Sequence, residues 1–342
     1  MTNKQFKEKA RRHQVEFKIN DEEINVPADR FESVEITNWR TKKTYRKGVP
    51  NILKDNEDDY RDSLGYRIFY SGFRADLTKK VDDRQKTDPS PSFKRMITDL
   101  LRSEHIPYNM FEPMNYDLNS AAKLFNGILG SERIKNIRQI LIEYKEKNEK
   151  GETGLKDGTA FDVFVDYETP SGNRGGIGIE VKYTEKEYQL KKGTKEWKET
   201  HEEKTGRIHL AENYRSPSIN SGWFETEYIE DVDDLKDSRV RKHVVANRYR
   251  QIWRNHLLGA SMVLDGSLSE FTSLTVYPEG NDHFGETLWE EYRSKLTDEG
   301  KKTFRHITYE ELFPMIRDCF KGGAMKDSDK WVDYLERRYL VK

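Results

Sequence analysis

Between Phe161 and Tyr183 the chain alternates with a period of two on either side of a short turn, and no other segment restricts the fold so tightly. Phe161, Val163, Val165 and Tyr167 alternate with Asp162, Phe164 and Asp166; after Pro170-Ser171-Gly172-Asn173, Ile177, Ile179, Val181 and Tyr183 alternate with Gly178, Glu180 and Lys182. This is the pattern of a β-hairpin. Folding about Ser171 sets Asp162 opposite Glu180, Phe164 opposite Gly178 and Asp166 opposite Gly176.

That register has a chemical consequence. Directly opposed residues hold their Cβ atoms roughly 4.5–5.5 Å apart, and like charges there are destabilising. Asp162 and Glu180 therefore call for a cation between them. A divalent metal is one answer, and Lys182, on the same face as Glu180, supplies a second positive group. Gly176 and Gly178 are expected to leave that face open to a ligand. A solvated hairpin with a cross-strand salt bridge is the competing reading. Glu-x-Lys alone carries no weight in this chain, where it occurs at Glu16, Glu143, Glu180, Glu196, Glu202 and Glu299. Only the copy at Glu180 lies on a clear alternating strand with an aspartate at the opposed position.

Upstream, Asp88-Pro89-Ser90-Pro91-Ser92 reads as a boundary and a helix start. Phe93, Met96, Ile97, Leu100 and Leu101 follow the 3.6 period, so a helix is expected to run to about Glu104, with Pro107 preventing its continuation. Glu104 continues the buried stripe of that helix, where a carboxylate needs a cation or donors; a solvated helix end is the alternative. Residues 119–130 suit a second short helix. The segment 134–144 fits a helix by Ile134, Ile137, Leu141 and Tyr144 and a strand by Ile140, Ile142 and Tyr144, and periodicity leaves both open. Residues 1–88 are charged and irregular, with short strand-like runs at 15–19 and 66–70, and are expected to form an accessory region before a main domain at 89–342. A strand over 271–277 and a C-terminal helix through 331–339 complete the outline.

Charge is strongly segregated further on. Arg239 to Arg254 holds six Arg/Lys and no acid, whereas Gly222 to Asp237 holds seven acids and one lysine. A basic helix is expected over about 239–260. On it Arg248, Gln251, Arg254 and Asn255 share one face and Tyr249, Ile252, Trp253 and Leu257 another. Arg248, Arg250, Arg254 and Asn255 are candidate phosphate contacts, against the plainer reading of a solvated face paired with the acidic stretch.

Composition removes other classes. The 60 Lys+Arg nearly balance 61 Asp+Glu, so no global field recruits a polyanion or an anionic membrane. Charged residues are 35 % of the chain, yet 12 % are aromatic, which argues for a folded chain rather than disorder. The single cysteine, Cys319, excludes a disulfide framework or a multi-cysteine metal site. With no apolar leader and no apolar run of about 18 residues, a cytoplasmic location without membrane contact is expected. Phosphate-loop, zinc-protease and nucleophile-elbow motifs are missing.

The order of a helix with Glu104, a strand with Asp162, then Glu180-Val181-Lys182, then a helix with Gln251 resembles the PD-(D/E)XK restriction-endonuclease-like nuclease superfamily. The blocks LRSEHIPYNMFEPM (101–114), LKDGTAFDVFVDYETPSGNRGGIGIEVKYTEKEY (155–188) and RYRQIWRNHLLG (248–259) resemble a little-characterised bacterial subgroup of it. The resemblance implies an α/β fold with an αβββαβ core, a central mixed sheet flanked by helices. It implies Mg²⁺, with Mn²⁺ also supporting activity, held by Asp162, Glu180 and the Val181 carbonyl, and Lys182 near the attacking water. Glu104 matches the auxiliary carboxylate that many members carry on the first helix, with Glu143 its rival if 137–145 is a strand; Gln251 matches a glutamine that some branches place beside the active site. Position 161 is Phe rather than the Pro of the family motif. The implied function is a Mg²⁺-dependent endonuclease acting on duplex DNA, in restriction or anti-phage defence, leaving 5′-phosphate and 3′-hydroxyl ends. The alternative is a catalytically silent nucleic-acid-binding module on the same fold. A homodimer and a defence-system partner protein are compatible with either.

Overall fold

A computed structural model describes residues 1–24, 33–37, 44–48, 65–87, 96, 99–146, 154–186, 192–202, 204–246 and 249–341. Its centre is a five-stranded sheet of β1 (Asn136–Tyr144), β2 (Phe161–Glu168), β3 (Arg174–Val181), β4 (Glu270–Tyr277) and β5 (Phe304–Thr308), in that spatial order. β1, β2 and β3 pair antiparallel, while β3–β4 and β4–β5 pair parallel. The sheet is therefore mixed, as the αβββαβ expectation required. The β2–β3 register is the one the alternation gave, with Phe164 opposite Gly178 and Asp166 opposite Gly176. A three-residue loop closes it: Thr169 N–H bonds the Asn173 carbonyl at 2.9 Å, and Gly172 takes a φ of 85°, which glycine adopts without a Cβ penalty.

Eight helices matter to the site: α1 (Asn3–Asn20), α2 (Arg74–Thr87), α3 (Leu118–Leu129), α4 (Glu212–Asn220), α5 (Arg250–Leu264), α6 (Glu286–Arg293), α7 (Tyr309–Phe320) and α8 (Ser328–Tyr339). Val163, Val165, Ile177 and Ile179 of the sheet share one hydrophobic cluster with Ala10 and Phe17 of α1, Val81 of α2, Leu124 of α3, Phe313 of α7 and Trp331 of α8. Phe164, Phe271 and Phe304 share another with Tyr214 of α4, Trp253 and Leu257 of α5 and Trp289 of α6. The sheet is thus covered on both faces, an α/β arrangement of three layers. Among the described residues no helix is long and apolar enough to cross a membrane.

Several local expectations change. The strand-like run at 15–19 belongs to α1, whose Phe6, Ala10, Gln14 and Phe17 are buried at helical spacing and whose start is closed by a Thr2–Gln5 capping box. Tyr66 and Ile68 lie in a short 3₁₀ turn (Gly65–Ile68) rather than in a strand. Most of the helix expected over 90–104 falls on residues 88–95 and 97–98, outside the described residues. Its end is not helical, since 100–101 and 104–105 form turns. Pro107 instead sits in the first turn of a helix (Ile106–Met110), where its missing N–H costs nothing. The basic helix over 239–260 breaks into two 3₁₀ turns, Ser238–Arg241 and Val244–Ala246, before α5 begins at Arg250. The ambiguous 134–144 segment is a strand. Among the described residues, α1 and α2 share one hydrophobic cluster with β2 and β3.

The glycine face is not open. A Cβ at Gly178 would meet the Phe161 and Phe271 rings, and one at Gly176 would meet Phe164 and Leu268. A Cβ at Gly259 of α5 would likewise fall on the Phe271 ring. The glycines admit aromatic rings, with Phe161 and Phe164 stacked at 5.6 Å and Phe161 and Phe271 tilted at 5.5 Å, and bring α5 close to the sheet. Gly259→Ala is expected to cost about 1–3 kcal/mol by overpacking, read in urea denaturation; a variant as stable as the parent would show that α5 and β4 part without strain.

Candidate active site

The hairpin register delivers the first two carboxylates. The β2–β3 ladder runs to Val163–Ile179, and beyond it Asp162 Oδ2 accepts the Val181 N–H at 2.7 Å. The side chain of Asp162 thus replaces the next rung, and Glu180 follows Ile179 on the neighbouring strand. On the other side of β2, Ile142 pairs with Val163 and Tyr144 with Phe161, so Glu143 lies opposite Asp162. Three adjacent strands therefore present Glu143, Asp162 and Glu180 side by side. Glu143 has a φ of 54°, a left-handed conformation that costs a non-glycine residue about 1–2 kcal/mol.

The electrostatics follow from this crowding. Burial, then the charges of Glu180 and Glu143, push the Asp162 carboxyl well above its ordinary range. Burial raises Glu143 to about 7, with Arg84 opposing the rise and Glu180 and Glu104 adding to it. Glu104 is half-buried in the turn before the 106–110 helix, 3.6 Å from Arg102, and its charge reaches Glu143. Both rivals for the auxiliary carboxylate thus stand near the site, but only Glu143 is on the rung. The strand alternative for 137–145 was the sequence signal for it.

Glu180 and Lys182 are almost fully buried, at 5 % and 4 % exposure, and their ion pair is 2.5 Å. In this water-poor setting the pair needs further hydrogen bonds. Lys182 Nζ donates to Gln251 Oε1 at 2.7 Å, and Asn255 Nδ2 donates to the other Glu180 oxygen. Gln251 and Asn255 are four residues apart on α5, hence on one face of the helix. The Lys182 carbonyl accepts from Tyr309 Oη at 2.5 Å, fixing the backbone that carries the ammonium.

Of the expected phosphate stripe, Arg250 and Asn255 are buried and Arg254 is half-buried against protein partners. Arg248 lies outside the described residues. Arg250 is 1 % exposed, because α5 starts at that residue and turns it into the interior. Arg254 Nη2 donates to Asp157 Oδ2 at 2.5 Å and to Thr159 Oγ1 at 2.7 Å, and Asn255 is buried on Glu180. The helix face read as outward is directed at the sheet.

Asp162, Glu180 and Glu143 form a set of hard oxygens suited to Mg²⁺ or Mn²⁺. Among the described residues no three carboxylate, imidazole or thiol groups converge closely enough to enclose an ion. Each carboxylate of the rung has a protein partner instead: an N–H for Asp162, Lys182 and Asn255 for Glu180, Arg84 for Glu143. The donor chemistry fits a divalent ion that exchanges with these partners. Asp162→Asn keeps an acceptor for Val181 and removes a repelling charge. Its melting temperature without added metal is therefore expected to equal or exceed that of the parent, while its stabilisation by Mn²⁺ disappears; unaltered stabilisation by Mn²⁺ would remove Asp162 from the site.

No curated protein and no solved structure matches the sequence. A family profile described as the PD-(D/E)XK nuclease superfamily matches residues 1–341, which span every element of the sheet and the carboxylate rung. With the mixed five-stranded sheet between helices and the Asp162, Glu180-x-Lys182 geometry in place, the chain belongs to the PD-(D/E)XK nuclease superfamily.

Proposed function

We propose that the protein is a Mg²⁺-dependent endonuclease that hydrolyses phosphodiester bonds of duplex DNA, with Mn²⁺ able to replace Mg²⁺, and that it serves restriction or anti-phage defence in the cytoplasm. The observation that carries the reading is the carboxylate rung across three strands with a buried lysine attached to one end. A structural hairpin has no need to crowd Glu143, Asp162 and Glu180 together, and such crowding destabilises a fold unless a cation joins it.

Asp162, Glu180 and the Val181 carbonyl would hold the ion, with Glu143 as the auxiliary carboxylate and Glu104 beside it. Bound there, a divalent ion supplies charge to offset that of the phosphorane-like transition state and brings water and phosphate together. Lys182 contributes a compact cation at the same point. Its Nζ is held between Glu180 Oε1 and Gln251 Oε1, so it is oriented before substrate arrives. A lysine so placed favours hydroxide over water and contacts the phosphate as its charge grows. Gln251 orients that ammonium, and Asn255 orients the carboxylate.

The test is Lys182→Ala against the parent on plasmid, linear and single-stranded DNA and on RNA, with Mg²⁺, Mn²⁺ or chelator. Cleavage is expected to fall by about 10²–10⁴-fold while DNA affinity stays within a few-fold, as for an interaction made mainly in the transition state. Melting temperature is read in parallel, since the substitution leaves Glu180 beside Asp162 without its cation. Cleavage that survives the substitution would exclude this active site; a parent that binds DNA and cleaves none of these substrates would favour the silent binding module.

A further inference from the structure

Arg84 stands in the last turns of α2, within the N-terminal segment that the sequence left without a role. Its Nη2 is 3.5 Å from Glu143 Oε2 and its Nη1 3.5 Å from the Ile142 carbonyl, so it meets the sheet where the carboxylate rung begins. The Tyr108 hydroxyl also shares a hydrogen bond with it. The charged groups around Glu143 are Arg84 and Lys145 on the cationic side and Asp162, Glu180 and Glu104 on the anionic side. The Arg84 and Glu143 side chains keep 19 % and 15 % exposure, so solvent reaches the pair.

This ion pair is a loose one. A charge-assisted N–H···O bond closes to about 2.7–2.9 Å, whereas the contacts of Arg84 with Glu143 and the Ile142 carbonyl are both at the outer limit. The cation is permanent, because a guanidinium does not lose its proton in proteins. A divalent ion on the rung would meet the electrostatic demand of Glu143 and leave Arg84 as a second cation beside it. Two like charges at such a distance repel unless an anion lies between them. A phosphodiester answers that need, since its two non-bridging oxygens match the guanidinium fork.

We propose that Arg84 is a substrate-contacting residue of the active site, exchanging Glu143 for a phosphate of the nucleic acid at the cleaved position once the carboxylate rung holds its metal. The inference rests on the nuclease reading and adds a residue from α2 that lies outside the Asp162, Glu180-x-Lys182 motif.

The experiment compares the parent with Arg84→Ala, Arg84→Lys and, as a control for lost charge on the same helix, Lys86→Ala, which alters an exposed pair with Asp83. Mn²⁺ affinity by calorimetry, kcat and KM for Mg²⁺-dependent DNA cleavage and melting temperature are measured for each. Arg84→Ala is expected to bind Mn²⁺ as tightly as the parent or more tightly and to lose kcat/KM by about 10²-fold or more. Arg84→Lys should fall between the two, and Lys86→Ala should match the parent. Arg84→Ala cleaving within about three-fold of the parent, set against that expected loss, overturns the proposal. So does loss of Mn²⁺ binding together with cleavage, which would make Arg84 a support for the carboxylates only. If Arg84→Ala does not fold, Arg84→Lys decides: reduced kcat/KM at unchanged melting temperature and Mn²⁺ affinity supports the phosphate contact, and parental kinetics overturns it. A parent that cleaves nothing overturns the nuclease reading and the proposal together.

Discussion

Repulsion among Glu143, Asp162 and Glu180 is the constraint around which the site is arranged. Burial, and after it the charges of neighbouring carboxylates, raise the proton affinity of Glu143 and Asp162. The fold meets this with donors drawn from separate parts of the chain: the Val181 amide, Lys182, Asn255 and, from α2, Arg84. Lys182 bonds Glu180 and its charge also acts on Asp162, while Arg84 faces Glu143 from the far side of the rung. Cation demand is therefore distributed over the site, and one divalent ion placed among the three would meet it at a single point.

The aromatic and glycine pattern explains how α5 comes near enough to take part. Gly176 and Gly178 on β3 and Gly259 on α5 leave room for Phe161, Phe164 and Phe271, whose rings form the layer between sheet and helix. With a side chain at Gly259 the helix would have to stand off from Phe271, and the amide of Asn255 one turn earlier would no longer reach Glu180. Packing and chemistry are therefore coupled along α5: Trp253 and Leu257 anchor it in the core while Gln251 and Asn255 meet the site.

What the sequence disclosed was local and periodic. The hairpin register followed from alternation and a loop rich in turn residues, and it placed Asp162 beside Glu180 before any tertiary contact was known. The strand at 270–277 and the helices at 118–129 and 328–339 were legible for the same reason. Three features were not. Segment 136–144 fits both periods, and only its pairing with β2 makes it a strand and puts Glu143 on the rung. The stripe at Arg250, Arg254 and Asn255 was read as solvent-facing because charge suggests exposure, whereas Asp157 and Glu180, distant in sequence, turn Arg254 and Asn255 inward. The role of Gly176 and Gly178 depends on rings from β2 and β4, which no local pattern around them announces.

The position of Lys182 rests on contacts that are remote in sequence and buried in space. Immediately after it, Gln14 of α1 donates to Tyr183 Oη at 2.9 Å, and Asn281 Nδ2 donates to the carbonyls of Tyr183 and Glu185, each at 2.9 Å. Asn3 at the start of α1 holds Asn281 in turn, through a bond of 2.6 Å. Glu185 then accepts the Ser103 N–H at 2.9 Å, which ties the segment to the turn bearing Glu104. With Tyr309 on the Lys182 carbonyl, the strand end is fixed by α1, α7, the 281 turn and the 103 turn together. Losing Gln14, Asn281 or Tyr309 would leave a buried hydroxyl or carbonyl unsatisfied at a cost of about 1–3 kcal/mol, so the segment has little freedom to drift. An ammonium that serves two oxygens within 3 Å gains from such a frame, because α1, α7 and the two turns together fix the backbone that carries it.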